Sequence, residues 1–333
     1  MLQGLRTVKG QAHAVGLVQR ALQSQRLAGT YLFEGPDGVG KERTARALAQ
    51  ASMCTSPRED RDACGECPSC RQVATNRHVD LLTLGRTIDV RTQQEESDPR
   101  TELTIDKVRM LQADRLIYQP FGPIRWVVVR DAHELNVEAS NALLKTLEEP
   151  PSRTHFVLCT SRASALLTTI RSRCQRVRFV PLDSEIVEEL LRADGVGPAA
   201  AHDAAAYAEG SVSRAKALAD ADVLASRKSW VDRIVATIDA GRPGAMVDLA
   251  EELKRTGEKS TRDRDEIIEV LSMLQRRYRD DAIAAAVEQA DVATRAARRA
   301  EAAGRTAGSL VGGVNAQMAL EGLWIRLREA RAG

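Results

Sequence analysis

The sequence lacks a strong net charge of either sign. Its 48 Lys and Arg residues nearly balance 46 Asp and Glu residues, which leaves a formal net charge of +2 over 333 residues. That balance excludes bulk electrostatic attraction to nucleic acid as the basis of function. Any contact with DNA must therefore be local or be made through partner proteins.

Long apolar runs are also missing. The amino-terminal stretch "MLQGLRTVKGQ" has no signal-peptide core, and no segment approaches the roughly 18 uninterrupted apolar residues of a membrane span. The sequence therefore predicts a soluble, cytoplasmic protein without a membrane partner. Its length indicates two or three domains, and no internal repeat is evident.

Cysteines are few, but four of them are closely spaced. The pattern C-x9-C-x2-C-x2-C is formed by Cys54, Cys64, Cys67 and Cys70. Gly65 and Pro68 suit tight turns that let thiolates converge, and four thiolates in a tetrahedron form a structural zinc site. Disulfides are disfavoured in a reducing cytosol, and four unrelated free thiols are the remaining alternative. Cys159 and Cys174 are predicted to be ordinary buried cysteines.

The stretch "EGPDGVGKERTARALA" contains a phosphate-binding loop that lacks one part. It fits G-x-x-x-x-G-K and lies between an apolar strand and a helix, as that motif requires. The loop glycines are Gly35, Gly38 and Gly40, followed by Lys41. Glu42 stands where a Ser or Thr hydroxyl should ligate Mg²⁺, and its carboxylate would either face the phosphates or point outward. The chain is then a working ATPase, a nucleotide binder that cannot hydrolyse, or a protein that keeps the loop for its shape.

Other apolar segments indicate the fold class. "RWVVVRDAHEL" and "HFVLCTS" are predicted strands that end at Asp131 and Thr160. Strands that are apolar throughout suit a parallel α/β sheet with helices on both faces, and Lys41, Asp131 and Thr160 should converge on one edge. After Pro181 the sequence becomes helical, with one helix predicted to be capped by Ser184 and to stop at Gly195, and then a bundle of packed helices.

Several stretches together resemble one protein family. "RLAGTYLFEGPDGVGKERTARALA", the cysteine cluster, "HVDLL", "NALLKTLEEPPSRTHFVLCTS" and "IRSRC" are similar to the clamp-loader subunits of bacterial DNA polymerase III, over about residues 5 to 180. "VNAQMALEGLWIRLRE" is similar to the last helix of that family's collar domain. The resemblance implies an AAA+ α/β P-loop domain with a zinc-binding insertion, a small helical lid and an α-helical collar. The implied boundaries are 1–180 with zinc at about 54–70, 181–222 and 223–333.

The resemblance also implies partners. The chain would join other loader subunits, gamma/tau and delta, in a hetero-pentamer. It would meet the sliding clamp and primer-template DNA through that complex.

The sequence departs from the family's active members at two positions. In active members, the strand that corresponds to "RWVVVRDAHEL" is followed by Asp-Glu. The Asp helps to hold Mg²⁺ and the Glu orients the attacking water. Here Asp131 is followed by Ala132, and Glu134 is expected to be a solvated charge. With Glu42 as well, two parts needed for phosphoryl transfer are missing. Lys41 and the loop amides can still hold phosphates, so ATP with Mg²⁺ is expected to bind weakly or not at all.

Further positions match family motifs one at a time. Arg173 in "SRC" matches the arginine finger that reaches a neighbour's γ-phosphate, Thr160 matches a sensor residue, and Arg214 matches a lid arginine that contacts nucleotide in cis. Gln11 lies where the family contacts adenine. The plain alternatives are a surface charge for Arg173, an ordinary helix charge for Arg214 and an ordinary strand end at Thr160.

Three functional hypotheses follow. The first is a non-hydrolysing structural and regulatory subunit of the loader. The second is an active gamma/tau-like ATPase motor of the same assembly, although such motors commonly continue into carboxyl extensions longer than this sequence has. The third is a stand-alone zinc-containing DNA-binding protein, but the cysteine cluster lacks the adjoining basic and aromatic residues used to grip nucleic acid.

Overall fold

The structure, a computed structural model, describes residues 3–96, 102–240, 252, 260–311 and 313–332. Parts of the predicted collar, at 241–251, 253–259, 312 and 333, lie outside the described residues. The chain divides into two compact units, Met1–Ala215 and Lys216–Gly333. The three-domain boundaries stay a prediction.

The first unit is built on a five-stranded sheet. Its strands are β1 (Thr30–Glu34), β2 (Leu81–Leu84), β3 (Arg125–Val129), β4 (Thr154–Thr160) and β5 (Gln175–Arg178). Every pair is parallel, and the order is β2-β3-β4-β1-β5. The parallel α/β prediction is confirmed. Strands β2 and β5 were not predicted; they have four residues each, and three of the four β5 residues are exposed, so neither carries a long apolar run.

Helices cover both faces of this sheet. They are α1 (Ala12–Gln23), α2 (Lys41–Ser52), α3 (Pro68–Ala74), α4 (Ile105–Leu111), α5 (Val137–Glu148) and α6 (Thr168–Arg171), with a π-helical turn at Gln112–Leu116. The chain then continues through α7 (Ser184–Ala193), α8 (Pro198–Tyr207) and α9 (Val212–Leu218), and the boundary between the two units falls within α9. Successive strand residues point to opposite faces. Tyr31 and Phe33 therefore join the core under α1 to α3, whereas Leu32 joins the core under α4 and α5.

Helix α7 begins at the predicted place but with a different cap. Ser184 is its first helical residue and Asp183 is the N-cap residue, without a side-chain hydrogen bond to the helix. The helix ends at Ala193, before Gly195. The capping role predicted for Ser184 is therefore wrong by one position.

The second unit is helical in all its described elements. They are α10 (Ala221–Ala240), α11 (Ser260–Ala285), α12 (Ala290–Val311) and α13 (Ala316–Ala332). In α12 the residues Ala296, Ala300, Ala303 and Ala307 are buried. Their spacing puts them on one face of the helix, which packs mainly against α11. Among the described residues, no helix has the length and apolar character that a membrane span requires.

A buried ion pair fixes the edge of the sheet at the start of β2 and β3. Asp80 is fully buried, and its Oδ1 lies 3.3 Å from NH2 of the buried Arg125. The same carboxylate accepts hydrogen bonds from the backbone N–H of Phe121 at 3.2 Å and of Gly122 at 2.7 Å. Asp80 therefore holds the turn that leads into β3 as well as the Arg125 guanidinium.

Replacing Asp80 by Ala should strongly destabilise the first unit. The change leaves Arg125 buried without its counter-charge and removes the acceptor of two backbone N–H groups, so we expect a loss of about 3–5 kcal/mol in the free energy of unfolding. Urea unfolding measures it. Asp106→Ala, at an exposed position in the first turn of α4, is the control and should cost less than about 1 kcal/mol. Equal effects of the two changes would contradict the role of Asp80.

Candidate nucleotide and metal sites

The phosphate loop connects β1 to α2 through a backbone path that needs glycine. The φ angles of Gly35, Gly38 and Gly40 are 153°, 71° and 97°, a region that residues with a Cβ rarely adopt. The N–H of Gly35 donates to the carbonyl oxygen of Thr160 at 3.2 Å. The loop is therefore tied to the end of β4, so that Thr160 and the loop lie on the same edge of the sheet.

Another segment of the chain packs directly on the loop. A Cβ atom added to Gly38 would lie 2.2 Å from Oγ of Ser211 and 2.8 Å from the backbone N of Ser213. The N–H of Val212 donates to the carbonyl oxygen of Gly38 at 2.9 Å. The start of α9 therefore closes over the middle of the loop. This contact was not predicted, although Gly38 is the one loop glycine that falls on a variable position of the G-x-x-x-x-G-K pattern.

Lys41 is buried and bonded to its own loop. Its Nζ donates to the carbonyl oxygens of Gly35 at 2.8 Å and Pro36 at 2.5 Å, and lies 3.5 Å from Oδ1 of Asp37. The ammonium group thus satisfies loop carbonyls in the arrangement seen here. A bound phosphate has to compete with those acceptors for Lys41.

Glu42 makes an ion pair that sequence analysis did not anticipate. Its Oε2 lies 3.1 Å from Nε of Arg130, the residue that follows β3, and NH1 of Arg130 lies 2.6 Å from Oε1 of Glu95. The carboxylate of Glu42 is therefore directed to a neighbouring strand end and its charge is compensated there. The pair could have been predicted from the position of Arg130, which comes immediately before Asp131 at the end of a parallel strand.

The end of β3 carries no carboxylate at the water-orienting position. Asp131 adopts a left-handed conformation with φ 44°, and Ala132 is fully buried in the core beneath it. The next residue, His133, places Nδ1 3.3 Å from Oγ1 of the buried Thr160. Burial, followed by the nearby Arg162, lowers the pKa of His133, so its neutral form is favoured. The structure thus brings Asp131 and Thr160 to the same sheet edge as the loop, as predicted.

Glu134 differs from the sequence prediction. Its side chain is only 19% exposed and lies 2.8 Å from Nε of Arg86, so it is a partly buried, paired group and not a solvated charge. Burial raises the pKa of Glu134, and Arg86 opposes that rise. Arg86 comes from the segment after β2, and no local sequence pattern predicts its contact with Glu134.

Two further candidates are held by local contacts. Arg214, in α9, donates from NH1 to Oε2 of Glu209 at 2.8 Å. Gln11 is buried, and its side-chain amide donates to the carbonyl oxygens of Val39 and Val180 while accepting from the N–H of Val180. Gln11 therefore links the phosphate loop to the segment after β5.

Arg173 lies two residues after the end of α6. Its NH2 is 2.6 Å from Oε1 of Glu148, and its NH1 donates to the carbonyl oxygen of Thr169 at 2.9 Å. The side chain is 38% exposed. Glu148 belongs to the "TLEEPP" stretch at the end of α5, so two of the motifs quoted for the family resemblance meet in this ion pair.

The four clustered cysteines converge as predicted. Their sulfur atoms all lie within 4.8 Å of one another, with 3.9 Å between Cys54 and Cys67 and 3.8 Å between Cys64 and Cys70. A tetrahedral zinc site with bonds of about 2.3 Å has edges of about 3.8 Å. All four are free cysteines, and the sulfur of Cys64 accepts hydrogen bonds from the backbone N–H of Glu66 and Cys67. The donor set therefore fits a four-thiolate metal ion.

Hydrogen bonds also prepare one thiol for ligation. Burial raises the pKa of Cys67, but hydrogen bonds from Thr55 and from the backbone N–H of Cys70 outweigh it and lower the pKa to about 6. Burial raises the pKa of Cys70. A metal ion would supply the positive charge that favours both thiolates.

Buried polar side chains join residues 54–70, which we call the cysteine module, to the rest of the unit. Asp62 accepts hydrogen bonds from the N–H of Leu5 at 2.9 Å and of Arg6 at 3.1 Å. Gln50, in α2, accepts from the N–H of Gly4 at 2.8 Å and donates to the carbonyl oxygen of Cys70 at 2.8 Å. The module is thereby connected both to the amino-terminal segment and to the helix that follows the phosphate loop.

We expect one zinc ion per chain, and we expect Cys67→Ser together with Cys70→Ser to release it. Elemental analysis of protein purified in metal-free buffer measures the ion, and hydrogen exchange should show loosening in α3 and in the segment bonded to Asp62. Cys174→Ser, outside the cluster, is the control and should keep the zinc. A folded, reduced sample with almost no zinc would refute the assignment.

Comparison with known proteins adds a sequence relationship. Residues 10–183 match the family described as DNA polymerase III, delta subunit. DNA polymerase III subunit tau of Bacillus subtilis is 32% identical over 186 residues, which are 56% of this chain and 30% of that protein. DNA polymerase III subunit delta' of Pseudomonas aeruginosa is 35% identical over 181 residues, 53% of this chain and 52% of that protein. The matched region thus spans about a third to a half of these curated relatives.

A solved structure shows a more distant likeness. A DNA polymerase III gamma subunit-related protein of Thermotoga maritima aligns over 96% of this chain and 99% of its own, with 17% identity and a TM-score of 0.44.

Proposed function

The chain belongs to the DNA polymerase III delta-subunit family, and from that premise we propose that it is the non-hydrolysing delta prime subunit of a bacterial replicative clamp loader. In this role it joins gamma/tau and delta subunits in a cytoplasmic hetero-pentamer. It supports ATP-dependent loading of the sliding clamp onto primed DNA without turning over ATP itself. The proposed parts are an AAA+ domain at 1–180, a lid at 181–222 and a collar at 223–333.

The observation that carries the proposal is the absence of both catalytic groups from a site whose phosphate loop keeps its shape. Glu42 replaces the Mg²⁺ hydroxyl and is engaged by Arg130, and Ala132 replaces the water-orienting Glu. Glu134 does not substitute, because its carboxylate is paired with Arg86. Phosphoryl transfer depends on metal and water being positioned together, so the loss of either group alone is damaging.

Residual nucleotide binding has a defined set of residues. The loop amides, Lys41 and Asp131 surround the position where phosphates bind in such loops, with Thr160 at the adjacent strand end and Arg214 on the segment that closes over Gly38. A nucleotide must draw Lys41 from two carbonyl oxygens. Weak binding is the result that we expect.

The second candidate function is an active gamma/tau-like motor of the same loader. It is favoured by the relatives named tau, one of them from Escherichia coli at 34% identity over 220 residues. Hydrolysis by the isolated chain separates the two candidates. The comparisons give no support to a stand-alone zinc-containing DNA-binding protein.

The isolated chain should hydrolyse ATP negligibly. Glu42→Thr should not restore turnover, because it returns the metal-binding hydroxyl while Ala132 still offers no carboxylate. A coupled assay of phosphate release measures turnover by the unmodified chain and by the Glu42→Thr variant. The double variant Glu42→Thr with Ala132→Glu, which carries both groups, is the comparison. Turnover typical of a motor subunit in the unmodified chain, abolished by Lys41→Ala, would establish the second candidate instead.

Arg173 should act on a neighbour's nucleotide. In a reconstituted loader, Arg173→Ala should leave assembly unchanged but sharply reduce DNA- and clamp-stimulated ATP hydrolysis, because an arginine finger contributes roughly 10³ to 10⁵ in rate at the site it serves in GTPases. Arg173→Lys should rescue poorly, since a point charge does not reproduce the planar guanidinium. Arg192→Ala, an exposed arginine of α7, is the control. Unchanged hydrolysis by an assembled Arg173→Ala loader would show that Arg173 is only a surface charge.

A further inference from the structure

An open cavity of about 620 Å³ lies beside the edge strand β2. Its walls come from α2, the segment between α3 and β2, strand β2 itself, the segment after β2 and the π-helical turn after α4. No residue of the phosphate loop from Gly35 to Lys41 lines it. The cavity, which we call the arginine cleft, therefore adjoins the nucleotide site at Glu42 but does not include the phosphate loop.

The lining of the arginine cleft carries an excess of positive charge. Two carboxylates, Glu42 and Glu95, face five guanidinium groups. The arginines are Arg46, Arg77, Arg91, Arg115 and Arg130. Glu42 and Glu95 both pair with Arg130, and Arg91 pairs with Asp114 outside the lining at 2.7 Å. Three arginines remain after these pairs.

Among the described residues, no ion pair joins any of those three to a carboxylate, although the nearby Glu42 acts electrostatically on Arg46. Arg46 donates to Oδ1 of Asn76 at 2.8 Å and to the carbonyl oxygen of Val73 at 2.9 Å, and Arg115 donates to the carbonyl oxygen of Arg91 at 3.1 Å. Neutral acceptors orient a guanidinium without cancelling its charge. Arg77 is exposed and forms none of the ion pairs found there. Three arginines of the cleft thus form no ion pair, and five arginines against Glu42, Glu95 and Asp114 leave a net charge of about +2 in a concave surface, which concentrates its field.

The chemistry of the lining suits phosphate. A guanidinium binds phosphate through paired N–H donors, and the three groups stand on different elements around a volume larger than one phosphate needs. The lining has no Phe, Tyr or Trp on which a base could stack. Contacts to phosphates alone position a nucleic acid without reading its sequence.

We propose that the arginine cleft binds consecutive phosphates of a nucleic-acid backbone, directly and without regard to sequence. The site reconciles a chain of net charge +2 with a contact to DNA, because the positive charge is local. The proposal goes beyond the loader assignment and does not depend on assembly, so it can fail while that assignment stands.

The test uses the isolated full-length chain and a fluorescently labelled single-stranded 20-nucleotide DNA, with anisotropy measured over a range of salt concentrations. Three phosphate contacts predict that log K falls with log salt concentration with a slope of about −2, since each contact contributes about 0.7 on single strands. Arg46→Gln combined with Arg77→Gln should reduce the steepness by about 1.4 and weaken binding equally for DNAs of different sequence. Arg20→Gln, an exposed arginine on α1 outside the cleft, is the matched control and should bind as the unmodified chain does.

Arg77→Gln alone keeps the test decisive if the double variant is unstable, because Arg77 is exposed and its replacement breaks no ion pair of the described residues. Inorganic triphosphate, added as a competitor, distinguishes a site for a nucleic-acid backbone from a site for free polyphosphate. No DNA binding at low salt, binding that is unaffected by Arg77→Gln in a folded protein, or saturable binding of triphosphate without any binding of DNA would each overturn the proposal. Weakened binding with a shallower salt slope supports it.

Discussion

The backbone turn between β1 and α2 is the constraint on which the arrangement of the candidate site depends. Its glycines allow other segments to come closer than a side chain would permit: a Cβ on Gly35 would lie 2.4 Å from the carbonyl oxygen of Phe179, and Ser211 closes on Gly38. The turn also bonds to Thr160 of β4 and Val212 of α9. Three parts of the unit are therefore aligned by one loop, whether or not a nucleotide enters it.

This explains how a loop can keep its form after catalytic groups are lost. Lys41 is satisfied by loop carbonyls, and Glu42 is satisfied by Arg130, so neither charge needs a phosphate or a metal to be stable. Glu42 and Ala132 stand in place of the metal-binding hydroxyl and the water-orienting carboxylate, and the packing around Gly35 and Gly38 is kept with them in place. A phosphate loop can therefore be retained for its packing, so its presence is not by itself evidence of catalysis.

Features with short sequence spacing could be predicted, and features that depend on distant segments could not. The cysteine cluster and the apolar strands β1, β3 and β4 were read directly, because their defining residues are local. The pair between Glu42 and Arg130 was missed because its partners meet only when β1 and β3 lie in one sheet. Glu134 was misjudged for the same reason, and the arginine cleft was invisible because its charges are spread over several elements of a nearly neutral chain.

The position of the cysteine module has a consequence for the order in which the chain can acquire structure. All four thiols lie within residues 54–70, so the module can close on a metal as soon as that segment leaves the ribosome, at a small cost in loop entropy. β1 must wait for both of its neighbours, β4 and β5, which come much later in the chain. Since Gln50 bonds to Cys70, a closed module offers the nascent α2 a fixed partner before the sheet is complete. Metal supply during synthesis would then influence how early α2 gains that partner.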